Sequence, residues 1–364
     1  MKICQISSTF PPIKDGVGDS VAKLHRLLRL FSKNDSFVLT SRIVPDNEHI
    51  FNLINNWNLV EIVKSLLFLK KNKIDVIIFQ YPTTFYYRKL FVTLIPLFIK
   101  ILKMKVVLYL HEYSNYSVVG RLRILPMILF SDFIVTSDAV NFKKIVHYRG
   151  YNKTRIIPGG SNFSDEVFKL TSKTKQNRYI KRKILFFGFI RYGKGLENLV
   201  SIFCNGSNIS DNFDLIIVGD VAENVDAMSK KLLNKIESSE SIRYLGYLNE
   251  NDLKSLSESI DIVFLPFSDG LSERRGSFMT AMGLGLPVVT TKPEIQINNL
   301  ENFKNVIFIS SSSYLEIEHI LLKLLKVKSE KLQEVGKNAY DWYMRGYSDK
   351  KFIEKFLNVL KQLS

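Results

Sequence analysis

Residues 183–203 read KILFFGFIRYGKGLENLVSIF. A β-prone run, Lys183–Phe187, enters a turn holding Gly188, Gly193 and Gly195, and a helix follows over Gly195–Phe203. Strand, glycine-rich turn and helix form the repeating unit of a parallel sheet covered by helices. The same alternation runs along the whole chain. Upstream, strands are expected at Lys2–Ser7, Asp75–Gln80, Lys105–Leu110, Phe133–Thr136 and Arg155–Ile157. Helices are expected over Asp19–Phe31, over Arg88–Leu102 and from about Ala139. Downstream, strands are expected at Asp214–Val218, Ile242–Leu245, Ile260–Leu265, Pro287–Thr291 and Val306–Ile309, and an amphipathic helix at Ser348–Leu363. The polar, basic stretch 164–182 separates the two series and reads as a linker. The fold class is therefore α/β, with two parallel-sheet halves.

Composition narrows the class. The 364 residues are 46% hydrophobic and 24% charged, enough for two globular cores. Two cysteines, Cys4 and Cys204, make no disulfide framework and point to a reducing, cytoplasmic setting. The opening MKICQISSTFPP lacks the apolar core of a signal peptide. No run reaches the roughly 18 apolar residues of a membrane span. Leu90–Leu102, interrupted by Pro96 and Lys100, reads instead as a buried or interfacial helix. The net charge is +16, and residues 1–163 carry 23 Lys/Arg against 10 Asp/Glu. Such one-sided charge points to an anionic partner: a nucleic acid, an anionic membrane or a phosphorylated substrate.

In open parallel sheets, ligands gather beyond the carboxyl ends of the strands. After the first strand come Gly16 and Gly18 at a helix start, suited to close backbone approach and to a phosphate. A plain glycine-rich turn explains them equally well, and Val21 stands where a dinucleotide fingerprint has its third glycine. His111-Glu112 follows Lys105–Leu110, and His111 is either a substrate contact or a satisfied cleft residue. The turn Gly188…Gly193-Lys194-Gly195 nearly matches a P-loop, but Gly195 has no hydroxyl for magnesium. Arg191 and Lys194 suit a diphosphate, as fork and as point charge; an exposed basic turn is the plainer alternative. The segment Pro266-Phe267-Ser268-Asp269-Gly270-Leu271-Ser272-Glu273-Arg274-Arg275-Gly276-Ser277 crowds cations and hydroxyls before a helix. An ion pair between Glu273 and an arginine is its bland explanation. The histidines show no metal-ligand spacing.

Taken in order and spacing, these motifs resemble the retaining glycosyltransferases of the GT-B fold, family 4 (group 1 glycosyltransferases). The likeness rests on the Pro-Pro…Gly-Val-Gly-Asp start, His111-Glu112, Ile157-Pro158-Gly159-Gly160, the Gly188–Leu196 turn and the segment from Asp269 to Val289. It implies two Rossmann-like domains, an acceptor-side domain at 1–163 and a nucleotide-sugar donor domain at 183–347, with the helix 348–364 returning to the first. It implies retention of anomeric configuration, no metal and no cofactor, since the nucleotide sugar is a substrate. His111, Lys194 and Arg275 become the catalytic candidates. Gly16, Gly18, Gly188, Arg191, Asp269, Gly270, Ser272, Glu273, Arg274, Gly276 and Ser277 become the substrate-binding ones. Ser272 and Thr280 stand where many members carry glutamates. The expected acceptor is a glycan or lipid-linked molecule in surface polysaccharide or lipopolysaccharide assembly, at the inner face of the cytoplasmic membrane and in contact with anionic lipid. An epimerase of the same fold and a nucleic-acid binder are the alternatives; no recognised nucleic-acid module favours the latter.

Overall fold

The computed structural model describes the chain except residues 14, 42–47, 87–88, 169–180, 194, 206–207, 222–225 and 364. It divides into two units, Met1–Asn162 with Asp349–Ser364, and Phe163–Ser348.

The first unit holds a seven-stranded parallel sheet. Its strands are β1 (Lys2–Ile6), β2 (Asp35–Ser41), β3 (Ile50–Ile54), β4 (Val76–Tyr81), β5 (Lys105–Leu110), β6 (Phe133–Thr136) and β7 (Thr154–Ile156), in spatial order β3-β2-β1-β4-β5-β6-β7. Every residue of β4 is buried, as expected for a strand covered on both faces. β2 and β3 have no counterpart among the expected strands. β3 lies at the sheet edge with only Ile50 and Ile54 buried, and Asn52 interrupts its short apolar sequence IFNLI.

The helix expected over Arg88–Leu102 is corrected. A 3₁₀ turn spans Leu90–Leu94 and an α-helix only Ile95–Ile101, with Pro96 in its first turn; Arg88 lies outside the described residues. Proline has no N–H to give to a preceding turn, so it starts a helix readily and continues one badly.

The second unit holds a six-stranded parallel sheet: β8 (Arg182–Phe187), β9 (Phe213–Val218), β10 (Ile242–Tyr244), β11 (Ile262–Leu265), β12 (Val288–Thr291) and β13 (Ile307–Ile309), in order β10-β9-β8-β11-β12-β13. Part of the expected linker belongs to this unit's core. Val167 and Phe168 are buried there, and the Phe168 ring meets Tyr343 edge-on at 5.3 Å. Residues 169–180 of that stretch lie outside the described ones.

The C-terminal helix Asp349–Lys361 packs on the first unit. Phe352, Ile353 and Phe356 share a core with Leu24, Leu27 and Leu28 of the helix Gly16–Phe31. A buried ion pair fixes it there: Lys23 Nζ lies 2.9 Å from Asp349 Oδ1, and Lys23 also donates to the carbonyls of Gly159 and Ser161. Arg26 reaches the other carboxylate oxygen at 3.0 Å. Removing one partner leaves the other charge buried, so Asp349→Ala is expected to destabilise the first unit by about 3–5 kcal/mol. The double variant Lys23→Met/Asp349→Leu is expected to lose clearly less. Urea midpoints measure both, and a single-variant loss below about 1 kcal/mol contradicts the assignment.

Candidate functional site

In the second sheet β8 and β11 are parallel neighbours, and the chain leaves them toward opposite edges. Such a reversal opens a crevice beyond the carboxyl ends of the two strands. Both sequence-predicted donor loops stand there, Gly188–Gly195 after β8 and Pro266–Arg275 after β11. Ser268 Oγ donates to the Gly193 carbonyl at 2.6 Å and joins them. Gly195 has φ +91°, and a Cβ on it would lie 1.8 Å from the Pro266 carbonyl oxygen. Only glycine fits, which is why the P-loop hydroxyl is missing. The first turn of the helix Gly276–Gly283 adjoins this loop, since a Cβ on Gly188 would sit 3.8 Å from Ser277 Oγ. No side chain caps that helix, so its first amides and the positive end of its dipole are presented beside the turn.

The two adjacent arginines, Arg274 and Arg275, are held rather than loose. Arg275 pairs with Asp269, and its guanidinium lies over the Phe267 ring at 4.6 Å. Arg274 Nε donates to Ser272 Oγ at 3.3 Å. Glu273 accepts from the Tyr347 hydroxyl at 2.7 Å; burial first and the Glu273 charge second push the Tyr347 pKa up. Gly270, at φ +80°, turns the loop back beneath Lys292. Arg191 is exposed on its turn, Thr280 is buried in its helix, and Lys194 lies outside the described residues. Thus Gly188, Asp269, Gly270, Ser272, Glu273, Arg274, Arg275, Gly276 and Ser277 are gathered at one crevice. Ser268 and Tyr347 are additions. Ser268 lies inside the cation-rich segment 266–277, whereas nothing in sequence ties Tyr347 to Glu273.

The remaining candidates belong to the first unit: Gly16 and Gly18 follow β1, at the equivalent reversal between β1 and β4, and His111 follows β5, the next strand over. Gly16 opens its helix with open space around it. Gly18 corrects an expectation: its N–H is not free for a phosphate but donates to Asp15 Oδ2 at 3.2 Å, where the Asp15 carboxylate caps the helix. Its own role is steric, since a Cβ would press to 3.3 Å on the backbone of Thr9 and Phe10.

His111 ends a hydrogen-bonded row across three strands. Gln5 Nε2 donates to the Val21 carbonyl at 3.0 Å, Gln80 Nε2 to Gln5 Oε1 at 2.8 Å, and His111 Nε2 to Gln80 Oε1 at 2.7 Å. Because that oxygen can only accept, the proton is on Nε2 and Nδ1 keeps its lone pair. The ring stacks on Tyr109 at 4.4 Å. Burial lowers its pKa to about 4, so the imidazole is neutral at pH 7. Two amides in apolar strands, Gln5 and Gln80, were the overlooked signal. Among the described residues no group of three or more His, Cys, Asp or Glu is placed to hold a metal.

Two outcomes follow from this geometry. Gly195→Ser, which would restore a P-loop hydroxyl, is expected to lower stability by at least ~1–3 kcal/mol through strain and overpacking, without conferring magnesium binding. A variant that melts like the wild type would show the Pro266 contact to be slack. The second outcome concerns pH. His111 and His25 both have pKa values lowered from 6.5 to about 4, chiefly by burial. Between those values the unfolded chain binds more protons at these sites, so stability falls as pH drops from 6.5 toward 4. His111→Gln should flatten part of that slope in urea midpoints taken across the window; an unchanged slope counts against a neutral buried His111.

The curated proteins give no match by sequence. Residues 168–342 match the family model described as glycosyl transferases group 1. Among solved structures, Anabaena Alr3699/HepE in complex with UDP is 14% identical with a TM-score of 0.76, each chain being covered in full. A glycosyltransferase from Rickettsia africae ESF-5 is 15% identical with a TM-score of 0.71, covering 100% of this chain and 98% of its own. The lipopolysaccharide outer core galactosyltransferase WaaB is 12% identical with a TM-score of 0.68, covering 100% and 99%. At these identities the likeness is one of fold, and together with the family match it makes residues 168–342 a group 1 glycosyltransferase domain in a chain of the GT-B fold.

Proposed function

We propose that the chain transfers a sugar from a nucleotide-diphosphate sugar to a glycan or lipid-linked acceptor. The observation that carries this is the β8/β11 crevice, where a glycine-only turn, an uncapped helix start and held arginines converge. Breaking a sugar–diphosphate bond builds negative charge on the departing diphosphate. Amides and cations fixed in advance stabilise that charge without reorganising. Gly188 and the Gly276–Ser277 amides supply the backbone part, and Lys194, Arg191 and Arg275 the cationic part. The pairing of Arg275 with Asp269 keeps its guanidinium in place until a stronger anion arrives. Ser272 or Glu273 takes the contact to the donor ribose that a glutamate makes in relatives.

In the first unit, the bare Nδ1 of His111 accepts a hydrogen bond from a sugar hydroxyl. Transfer proceeds with retention and without a metal, in the cytoplasm, as a step of surface polysaccharide assembly. The Anabaena structures holding UDP and UDP-glucose favour a uridine diphosphate sugar as the first donor to try.

A thermal-shift comparison of UDP, ADP and GDP tests the donor. A ligand specific to the folded state, at 100 times its Kd, adds about 2.7 kcal/mol. With the donor found, Lys194→Ala and Arg275→Ala are each expected to reduce turnover by roughly 10²–10³ with little change in Tm, and EDTA to leave turnover intact. No shift with any diphosphate, or near wild-type turnover in both variants, removes the assignment.

A further inference from the structure

The helices Leu59–Lys71, Ile95–Ile101 and Val118–Phe130 cover one side of the first sheet. Their inward residues, among them Ile62, Leu66, Ile95, Ile124 and Met127, share one core with Phe79 of β4 and Leu108 of β5. Their outward residues ought to be polar, and many are not. On Leu59–Lys71, Val60, Lys64, Leu67 and Lys71 recur at helical spacing and are all exposed. Leu90 is 60% exposed and Ile101 66%. The first turns of Val118–Phe130 present Val118, Val119 and Leu122 at 72%, 76% and 63%. Single exposed apolar residues are ordinary; three neighbouring helices carrying them on their outward sides are not.

The charge beside them is one-sided. Residues 59–130 hold 11 Lys/Arg and 3 Asp/Glu, half of the chain's net +16 in 72 positions. Lys64, Lys70, Lys71, Lys73, Lys89 and Lys103 are exposed. Glu61, the one acidic residue of Leu59–Lys71, accepts the N–H groups of Asn55 and Asn56 at the helix start. None of these lysines belongs to the proposed donor site, so that site leaves this charge unexplained. Apolar side chains among lysines on a layer of short helices suit an interface between water and anionic lipid. Each basic residue near such a surface contributes on the order of a fivefold gain in binding. Among the described residues no helix is long and apolar enough to cross a membrane.

We infer that this outward face docks on an anionic lipid surface. Val118, Val119 and Leu122 enter the headgroup layer, and the lysines of Leu59–Lys71 meet lipid phosphates. The inference stands on this face alone and does not require the transfer reaction.

Cosedimentation of the full chain with vesicles, without donor or acceptor, tests it. One set is phosphatidylcholine, the other phosphatidylcholine and phosphatidylglycerol in equal parts. Binding is expected only to the second set, and is expected to fall as salt rises above about 0.1 M, where charges are screened within about 10 Å. Lys64→Glu/Lys70→Glu/Lys71→Glu should weaken it roughly tenfold or more. Val118→Glu/Leu122→Glu should weaken it comparably while leaving the melting temperature near wild type, both side chains being exposed. Equal binding to neutral vesicles, no binding to anionic ones at low salt, or full binding by the Val118/Leu122 variant would overturn the inference. So would a concentration-dependent dimer in sedimentation velocity that the same variant dissolves, since a second copy would then be the occupant.

Discussion

Gly195 has no room for a side chain. With the Pro266 carbonyl 1.8 Å from any Cβ, the turn after β8 must pass the end of β11 as bare backbone. That one contact sets the rest of the second unit's crevice. It closes the Gly188–Gly195 turn against the loop beginning at Pro266, which brings Gly193 within reach of Ser268. It starts the helix Leu196–Cys204 from a left-handed residue, with Glu197 accepting the Gly195 N–H at 3.1 Å. It also removes the hydroxyl by which a P-loop would hold magnesium. The turn so built offers backbone amides and neighbouring side chains, with no hydroxyl at position 195.

Charged side chains of the neighbouring loop are fixed by partners of their own. A free arginine beside an empty crevice would sample many rotamers, and ordering it on binding would oppose affinity. Here Arg275 is held by Asp269 and by the Phe267 ring, and Glu273 by Tyr347. Each of these two charged groups has an internal partner that fixes its position. The Tyr347 anchor lies just before the C-terminal helix Asp349–Lys361, so the segment that positions Glu273 leads directly into the segment that completes the first unit.

The parts legible in sequence were those where one residue type has one physical explanation. Glycines at close approaches, apolar runs of central strands and the cation-rich loop after Ile262–Leu265 fell where they were expected. What escaped was set by tertiary partners. β2 (DSFVLTS) has only three consecutive apolar residues among polar ones, and β3 (IFNLI) is a short edge strand broken by Asn52. Gly18 looked like a phosphate contact because a helix start offers free amides, but Asp15, three residues before it, already takes its N–H. Gln5 and Gln80 are single amides within apolar strands; a buried amide needs partners, and theirs lead to His111. Pro96 sits in the first turn of the helix Ile95–Ile101 and so marks its start, which shortens the helix expected from Arg88.

The buried Lys23–Asp349 pair shows why the chain's two ends belong to one unit. Hydrophobic contacts between the helices Gly16–Phe31 and Asp349–Lys361 favour docking but specify little about register. A lysine that also donates to the carbonyls of Gly159 and Ser161 does specify it. Those carbonyls stand where the chain leaves the first unit, a few residues past β7, while Asp349 stands where it re-enters. One ammonium group therefore binds both crossings at once. Displacing the C-terminal helix by a single turn would move Asp349 about 5.4 Å along its axis and break the ion pair with Lys23. The pair thus fixes the exit and the return of the chain relative to the first unit's own core, through an interaction that is sensitive to register.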